Sequence, residues 1–151
     1  MSVSDHPIRI YVSHRFVADE EYLRVQEYLD GTRRFYYQLT SDPSAPVLGG
    51  REGQRDVWRQ QIQASEVALM LSAHADVDPE GIEFQVRFAK SAAKPVLLMR
   101  RFGSVLPPPT ALSRQATALV DWNERAIVNA LRLYGRQEST ARWDTIDFTL
   151  D

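Results

Sequence analysis

The chain has 151 residues, of which 44% are hydrophobic and 25% are charged, and this is the composition of one globular domain with a core of its own. The net charge of -2 gives no electrostatic basis for binding nucleic acid or an anionic membrane, and no apolar run approaches the ~20 residues of a membrane span. Cysteine is absent, which excludes disulfides, thiolate metal sites and cysteine nucleophiles, and a cytoplasmic protein is expected.

The first elements follow a strand, helix, strand pattern. Residues 8–12 are a β-branched run that predicts a first strand, and a polar loop, residues 13–16, follows it. Asp19 can cap the next helix, which Gly31 ends. The short aromatic run at residues 35–37 predicts a second strand near a sheet edge.

The middle of the chain combines a long loop with a buried strand. Residues 39–53 contain prolines and glycines without periodicity, and such a loop is usually functional or mobile. A helix is predicted over residues 56–65. The apolar run at residues 67–71 predicts a central strand, because consecutive apolar residues must be covered on both faces. Residues 72–80 are predicted as a loop that ends in a capped helix start at Asp78.

A helix that leads into a second buried strand organises the rest of the chain. The core-facing stripe repeats at helical spacing until Pro95, and the apolar run at residues 96–99 predicts a strand. At 100° per residue Gln85 lies at the edge of this stripe, whereas Glu83 points about 160° away from it. A ligand at the start of this helix would therefore lie nearer to Gln85.

The last elements complete one domain. Residues 100–114 are predicted as a loop, residues 118–120 as a short strand, and a helix is predicted from Asn123. The prediction is one domain over residues 1–134, followed by a C-terminal tail over residues 135–151. The tail is apolar enough to pack back on the domain or to bind a partner.

This order of elements predicts the fold class. It indicates an α/β, flavodoxin-like doubly wound domain with a parallel five-stranded sheet. Ligands of such sheets bind beyond the carboxyl ends of the strands. The rule selects four segments, residues 13–16, 39–53, 72–80 and 100–114, and none of them contains a glycine-rich phosphate or dinucleotide motif.

Four segments also carry a family resemblance: IRIYVSHRF (8–16), SEVALML (65–71), EFQVRFAKSAAKPVLLM (83–99), and VDWN (120–123) leading into IVNALR (127–132). Together they resemble TIR-like domains, among them the TIR proteins of the bacterial Thoeris anti-phage defence system. The resemblance implies cleavage of NAD+ at the nicotinamide–ribose bond and cyclisation to an ADP-ribose signal that activates an effector. NAD+ or a related nucleotide would be the substrate, with no resident cofactor. Separately, His6, His14 and His74 lack the spacing of metal ligands, so no metal site is predicted. Self-association, or binding to an effector or a phage protein, is also implied.

A second resemblance concerns the same helix. Nucleoside deoxyribosyltransferases carry a Gly-Thr-x-Trp-Glu-Leu-Gly segment that aligns with residues 81–87. Both families place the catalytic glutamate nine residues before the lysine of Lys-Pro, and here that position holds Gln85. A neutral amide is not a carboxylate nucleophile, although it can bind ribose hydroxyls. Either Glu83 or Glu80 supplies the carboxylate through a shifted register, or the protein is weak or inactive as an enzyme.

The remaining candidate residues follow from the TIR resemblance. Ser13, Arg15 and Phe16 would hold phosphates and stack on a ring; the alternative is an ordinary strand-end turn. Asp42 and Ser44 would belong to a gating loop, or form only a turn. His74 would orient the substrate, or be an exposed loop histidine. Together with Glu80, Glu83 and Gln85, these residues form the predicted site.

Three hypotheses from different classes remain open at this stage. The first is an NAD+-consuming TIR enzyme, which a carboxylate at the site would support. The second is a TIR module for recognition or assembly, which Gln85 and the apolar tail favour. The third is a nucleoside-processing enzyme of the deoxyribosyltransferase type, which lacks the glutamate just as the first does.

Overall fold

A computed structural model describes residues 6–136 of the chain. One parallel sheet contains five strands in the order β2-β1-β3-β4-β5: Ile8–Val12 (β1), Tyr37–Leu39 (β2), Val67–Leu71 (β3), Val96–Met99 (β4) and Ala118–Val120 (β5). The α-helices are Glu20–Asp30 (α1), Gly50–Gln63 (α2), Pro79–Ser91 (α3), Thr110–Ser113 (α4) and Glu124–Arg136 (α5). A 3-10 turn, Ser72–Asp76, connects β3 to α3. The predicted fold class and strand order are confirmed.

The two faces of the sheet bury separate apolar clusters. Alternate residues of β3 point to opposite faces, so that Leu69 packs with α1 and α5, whereas Met70 packs with α2 and α3. All residues of β3 and β4 are buried, as continuous apolar runs predict for central parallel strands. The strand order reverses between β1 and β3, and in open parallel sheets the carboxyl ends of such a strand pair are where a ligand crevice is expected. This place is called the crevice below.

The start of α2 differs from the prediction. The helix begins at Gly50 rather than at residue 56, so the predicted loop over residues 39–53 is shorter than expected. Gly49 has φ +92° and precedes the first turn, and Gly53 lies in that turn against Leu48. A Cβ on Gly53 would be 1.7 Å from the Leu48 carbonyl oxygen. Gly49 and Gly53, which the sequence pattern assigned to a loop, are therefore the residues that allow the first turn of α2 to form.

Four smaller predictions also needed correction. The edge strand is Tyr37–Leu39 rather than residues 35–37, because pairing with β1 starts at Ile8 opposite Tyr37. The predicted loop over residues 72–80 contains the 3-10 turn, and the loop over residues 100–114 contains the short helix α4. Helix α5 continues to Arg136, and residues 137–151 of the predicted tail lie outside the described residues.

Within residues 6–136, no helix has both the length and the apolar character that crossing a membrane requires. No group of three or more histidine, aspartate or glutamate side chains in that range is arranged to hold a metal ion.

An ion pair network closes the opposite end of the sheet. Glu66 precedes β3 and accepts hydrogen bonds from the Arg9 amide at 3.0 Å and from the Arg136 guanidinium. Arg136 also donates to the Pro7 carbonyl, so the end of α5 is fixed to the start of β1. Burial alone would raise the pKa of Glu66, but the hydrogen bonds from Arg136 and Arg9 lower it from 4.5 to about 2.

We expect Glu66→Gln to reduce the free energy of unfolding by about 1–2 kcal/mol at pH 7, because both arginines lose a charged acceptor. The Glu66 pKa is depressed in the folded state, so its contribution is present above pH 4.5 and is lost as the pH falls toward 2. Urea unfolding at pH values from 7 to 3 should therefore show that the difference in free energy of unfolding between variant and native protein becomes smaller as the pH falls. Glu27→Gln, on the exposed side of α1, is the control, and a gap independent of pH would contradict the assignment.

Candidate functional site

Ser13 links two strands directly after β1. Its amide donates to the Leu69 carbonyl at 3.0 Å, and its hydroxyl accepts from the Leu71 amide at 2.8 Å. The same hydroxyl lies 3.1 Å from Nδ1 of His74 in the 3-10 turn. Both side chains are buried, with exposed fractions of 0% and 2%, so His74 is not the exposed loop histidine of the alternative interpretation.

His74 continues this link to the start of α1. Its Nε2 lies 3.1 Å from Oδ2 of Asp19, whose other oxygen accepts from the Tyr22 amide and caps the helix. Burial acts to raise the pKa of Asp19, but hydrogen bonds from His74 and Tyr22 outweigh it and lower that pKa. The order Ser13, His74, Asp19 resembles a nucleophile triad, yet Ser13 has no exposed surface and cannot reach a substrate. These residues instead hold the loop in place.

The two partners of His14 determine its tautomer. Nδ1 accepts a hydrogen bond from the Phe16 amide at 3.1 Å, so the proton lies on Nε2, which donates to Oε1 of Gln61 at 2.8 Å. Burial lowers the pKa of His14 from 6.5 to about 4, and the nearby His74 acts in the same direction. His14 is therefore a neutral, fixed part of the crevice.

Gln61 extends this network to the loop after β2. Its Oε1 also accepts from the Asp42 amide at 3.1 Å, and its Nε2 donates to the Asp42 carbonyl at 3.2 Å. The Asp42 carboxylate accepts from the amide and the hydroxyl of Ser44, which lowers the pKa of Asp42. Asp42 and Ser44 form a compact exposed turn, and Gln61 joins that turn to His14.

Gln85 occupies the centre of the crevice floor and is 1% exposed. Its Oε1 accepts from the Tyr11 hydroxyl at 2.6 Å and from the His14 amide at 3.3 Å. Its Nε2 donates to the His14 carbonyl at 3.1 Å and to the Gly81 carbonyl at 3.2 Å. All four hydrogen-bonding positions of the amide are used, so this environment fits a glutamine.

Glu80 and Glu83 lie elsewhere on α3. Glu80 is exposed in the first turn, and Glu83 is half-buried. Neither side chain is hydrogen-bonded to another residue of the described chain, and the rotation of α3 places Gln85 rather than Glu83 against His14. The structure thus brings together Ser13, His74 and Gln85 of the predicted residues, but it does not place a glutamate among them.

Phe16 has a conformation that is unusual for a large side chain. Its φ is +65°, a region that costs about 1–3 kcal/mol for such a residue. The hydrogen bond from its amide to His14 and stacking on Trp58, with ring centroids 5.3 Å apart, hold it there. Trp58 in turn donates from Nε1 to the His14 carbonyl at 3.2 Å. The turn therefore presents a half-buried aromatic ring at the rim of the crevice.

Arg15 is the half-buried cation next to this ring. Its Nε is buried and has no hydrogen-bond partner among residues 6–136. The charge of Arg15 contributes to lowering the pKa of both Asp19 and Asp78. However, His74 already binds Asp19, and Arg51 binds Asp78 through two hydrogen bonds of 2.7 and 2.9 Å. Arg15 thus lies near two carboxylates that are bonded to other groups.

Five residues of this network are absent from the site predicted from the sequence. Tyr11 was assigned only to a strand and Asp19 only to a helix cap, and no site role was predicted for His14, Trp58 or Gln61. Their positions in the sequence could have indicated two of them, because Tyr11 lies just before the loop that follows β1 and Asp19 lies just after it. No pattern in the sequence indicates that Gln61 lies between His14 and Asp42, because this depends on how α2 packs on the sheet.

No protein-family model and no curated protein matches this chain. Among solved structures it is similar to a 2-deoxyribosyltransferase from the psychrotolerant bacterium Bacillus psychrosaccharolyticus, with a TM-score of 0.54 and 18% identity over 78% of this chain and 90% of that one. It is also similar to a CMP N-glycosidase from Clostridium botulinum, with a TM-score of 0.49 and 13% identity over 83% of this chain and 99% of that one. At these identities the likeness shows the fold alone.

The identification as a TIR-like domain is therefore wrong. The two solved structures named above are a 2-deoxyribosyltransferase and a CMP N-glycosidase, and deoxyribosyltransferases were the second resemblance of the α3 segment. The expectations that depended on the TIR identification, namely NAD+ cleavage, a cyclic ADP-ribose signal and a Thoeris defence role, are not supported. The segments that suggested it are strand ends and helix starts, which parallel sheets of different families share.

We expect the His14 ring to remain neutral in the folded protein until the pH approaches 4, with the proton on Nε2. Because its pKa is depressed, the unfolded chain binds this proton first, and stability should fall as the pH decreases from 6.5 to about 4, by on the order of 3 kcal/mol. Nitrogen-15 NMR of the imidazole, recorded from pH 7 to pH 4, measures both the tautomer and the pKa. A midpoint near 6.5, or a proton on Nδ1, would contradict the assignment.

We expect Gln85→Glu to destabilise the protein by on the order of 3 kcal/mol at pH 7, because a carboxylate would face the His14 and Gly81 carbonyl oxygens. Burial would raise the pKa of the introduced carboxyl group above about 4.3, so the stability deficit should grow as the pH rises from that value. Urea unfolding at pH 4.5 and pH 7, with the exposed Gln60→Glu on α2 as control, measures this. Equal deficits at both pH values would show that the site does not select an amide.

Proposed function

We propose that this protein binds a nucleoside or nucleotide at the carboxyl ends of β1 and β3, and that it does so without forming a glycosyl-enzyme bond at position 85. The observation that carries the proposal is the four-way hydrogen bonding of the buried Gln85 amide. The deoxyribosyltransferase-like fold supports the ligand class, and the crevice between β1 and β3 supports the location.

Arg15 and Phe16 are the proposed ligand contacts. A buried guanidinium nitrogen without a partner is costly, and an anionic group of a ligand would satisfy it. The half-buried ring of Phe16, with Trp58 behind it, offers a rigid face for stacking. Ser13 and His74 support this turn from below, so their proposed role is positioning rather than contact with the reacting atoms.

Binding without turnover is favoured by the protonation states of the crevice floor. Tyr11, His14 and Gln85 are neutral there, and burial raises the pKa of the Tyr11 hydroxyl well above its usual value. Breaking a bond to ribose C1′ builds positive charge on the sugar, which a fixed carboxylate normally stabilises. The neutral floor supplies no such charge, and its side chains are buried and hydrogen-bonded within the protein.

A second candidate is an enzyme of the deoxyribosyltransferase or N-glycosidase class that uses a carboxylate other than position 85. Its support is the extent of the fold likeness, which includes 90% of the deoxyribosyltransferase chain. Glu83 is the half-buried carboxylate of α3 that such an enzyme would need to bring into the crevice.

Titration of the nitrogen-15-labelled protein with cytidine, CMP, adenosine and AMP tests the proposal. We expect amide shifts at residues 13–19 and 72–85, tighter binding of the monophosphates, and no free base in the supernatant by chromatography. Arg15→Gln should weaken monophosphate binding by about 10–100-fold, the value of a charge-assisted hydrogen bond, and should affect nucleosides less. Glu27→Gln is the matched control on an exposed helix face.

The other outcomes separate the candidates. Release of free base that Glu83→Gln abolishes would support the enzyme and overturn binding without turnover. Shifts confined to the opposite end of the sheet, near Glu66 and Lys94, would overturn the proposed location. An absence of shifts with all four ligands would overturn the ligand class.

A further inference from the structure

A second concave site lies at the same edge of the sheet as the crevice. It is a cavity of about 170 Å³ between the 3-10 turn and the loop after β4. Its walls are formed by Ser72, Ala73, Asp76, Arg101, Ser104, Leu106 and Pro107 to Pro109. We call it the proline cavity. None of the hydrogen bonds described for the crevice floor involves these residues.

The wall on the loop side is stiff. Three consecutive prolines fix φ and carry no amide hydrogen, so this segment offers apolar rings but no backbone donor. The Pro108 and Pro109 carbonyls accept hydrogen bonds from Ser113, which leaves the Pro107 carbonyl as the acceptor of this run. The turn before it is closed by the Ser104 amide, which donates to the Arg101 carbonyl at 3.0 Å, and it contains Gly103 with φ +79°. An ion pair between Arg101 and Asp76 joins the loop to the 3-10 turn. The shape of the cavity is thus fixed by the backbone of this loop and by the ion pair.

Ser72 provides an unused donor in this cavity. The residue is 5% exposed, yet its hydroxyl makes no hydrogen bond to any described residue of the chain. Within residues 6–136 the buried polar atoms without a partner lie elsewhere, so the Ser72 hydroxyl opens onto the cavity, where water or a ligand can be its partner. Ser104 accepts from the Leu106 amide at 3.0 Å, which leaves its own proton free to donate. The cavity therefore combines hydroxyl donors with the carbonyl acceptor of Pro107.

The volume limits what can enter. An apolar cavity of about 150 Å³ is known to hold one benzene-sized ring, so 170 Å³ fits a single six-membered ring but not a fused two-ring system. A ring that carries both an acceptor for the Ser72 hydroxyl and an N–H donor for the Pro107 carbonyl would pair with both of these groups. A pyrimidine base has this size and this pattern of donors and acceptors.

We propose that the proline cavity holds the base of the ligand and selects pyrimidines over purines. This inference rests on the proposed function, since the 3-10 turn carries His74 toward the crevice and Ser72 toward the cavity. The sugar and any phosphate then lie on the crevice side, near Arg15, and the base lies beneath the proline run. The size of the cavity excludes the two-ring purine bases, and the Ser72 hydroxyl adds a hydrogen bond to the pyrimidine base.

The test compares the affinities of cytidine and uridine with those of adenosine and guanosine, measured by NMR titration of the native chain. We expect the pyrimidine nucleosides to bind at least about 10-fold more tightly and to shift the amides of Ala73, Ser104 and Leu106. Ser72→Ala should weaken pyrimidine binding about 2–10-fold, the value of one neutral hydrogen bond. The matched control is Ser91→Ala, at the far end of α3.

Leu106→Ala keeps the test decisive if Ser72→Ala impairs folding, because Leu106 is 66% exposed and its truncation only enlarges the cavity. This variant should bind purine nucleosides more tightly and narrow the preference for pyrimidines. Equal affinities for both base classes, or a preference that Leu106→Ala leaves unchanged, would overturn the inference while the proposed function stands. If no nucleoside and no monophosphate binds the native protein, the proposed function fails and this inference fails with it.

Discussion

The amide of Gln85 joins the elements that form the crevice. It connects the first turns of α3 to the end of β1 through Tyr11 and both backbone groups of His14. Trp58 of α2 donates to the same His14 carbonyl, so one strand and two helices meet at a single residue. An amide can serve as donor and acceptor together, and neither a carboxylate nor an apolar side chain would match this set of partners. The positions of Arg15 and Phe16 at the rim depend on this connection.

Charge is distributed in layers around this connection. The buried groups of the floor, Tyr11, His14 and Gln85, are neutral, and fully satisfied neutral networks are strong in a low-dielectric interior. The charged groups lie at the rim, where Asp19 and Asp78 cap α1 and α3. Acid therefore protonates His14 of the floor, near pH 4, before it protonates Asp19 and Asp78, whose pKa values are lowered from 3.8. Added salt, in contrast, acts first on the charged rim.

The sequence predicted those features that depend on local patterns. Continuous apolar runs identify β3 and β4, and helical spacing alone places Gln85 toward the crevice and Glu83 away from it. Glycines misled the prediction for α2, because Gly53 packs against a carbonyl within a helical turn instead of ending a loop. The contact between His14 and Gln61 joins positions 47 residues apart and depends on tertiary packing, which no local pattern encodes. The TIR identification failed for a related reason, since strand ends followed by polar loops are common to parallel sheets.

The fold does not determine the chemistry of position 85, and the backbone around it explains why. A likeness of fold fixes where α3 lies on the sheet but not the function of a side chain on it. Here the carbonyls of His14 and Gly81 point at that side chain, and both are set by the β1 turn and by the first turn of α3. A carboxylate at this point would meet two acceptors, so a glutamate could act there only if the backbone of the turn were also rebuilt. The preference for an amide at position 85 is therefore a property of the whole β1 turn, including the left-handed Phe16, and of the first turn of α3.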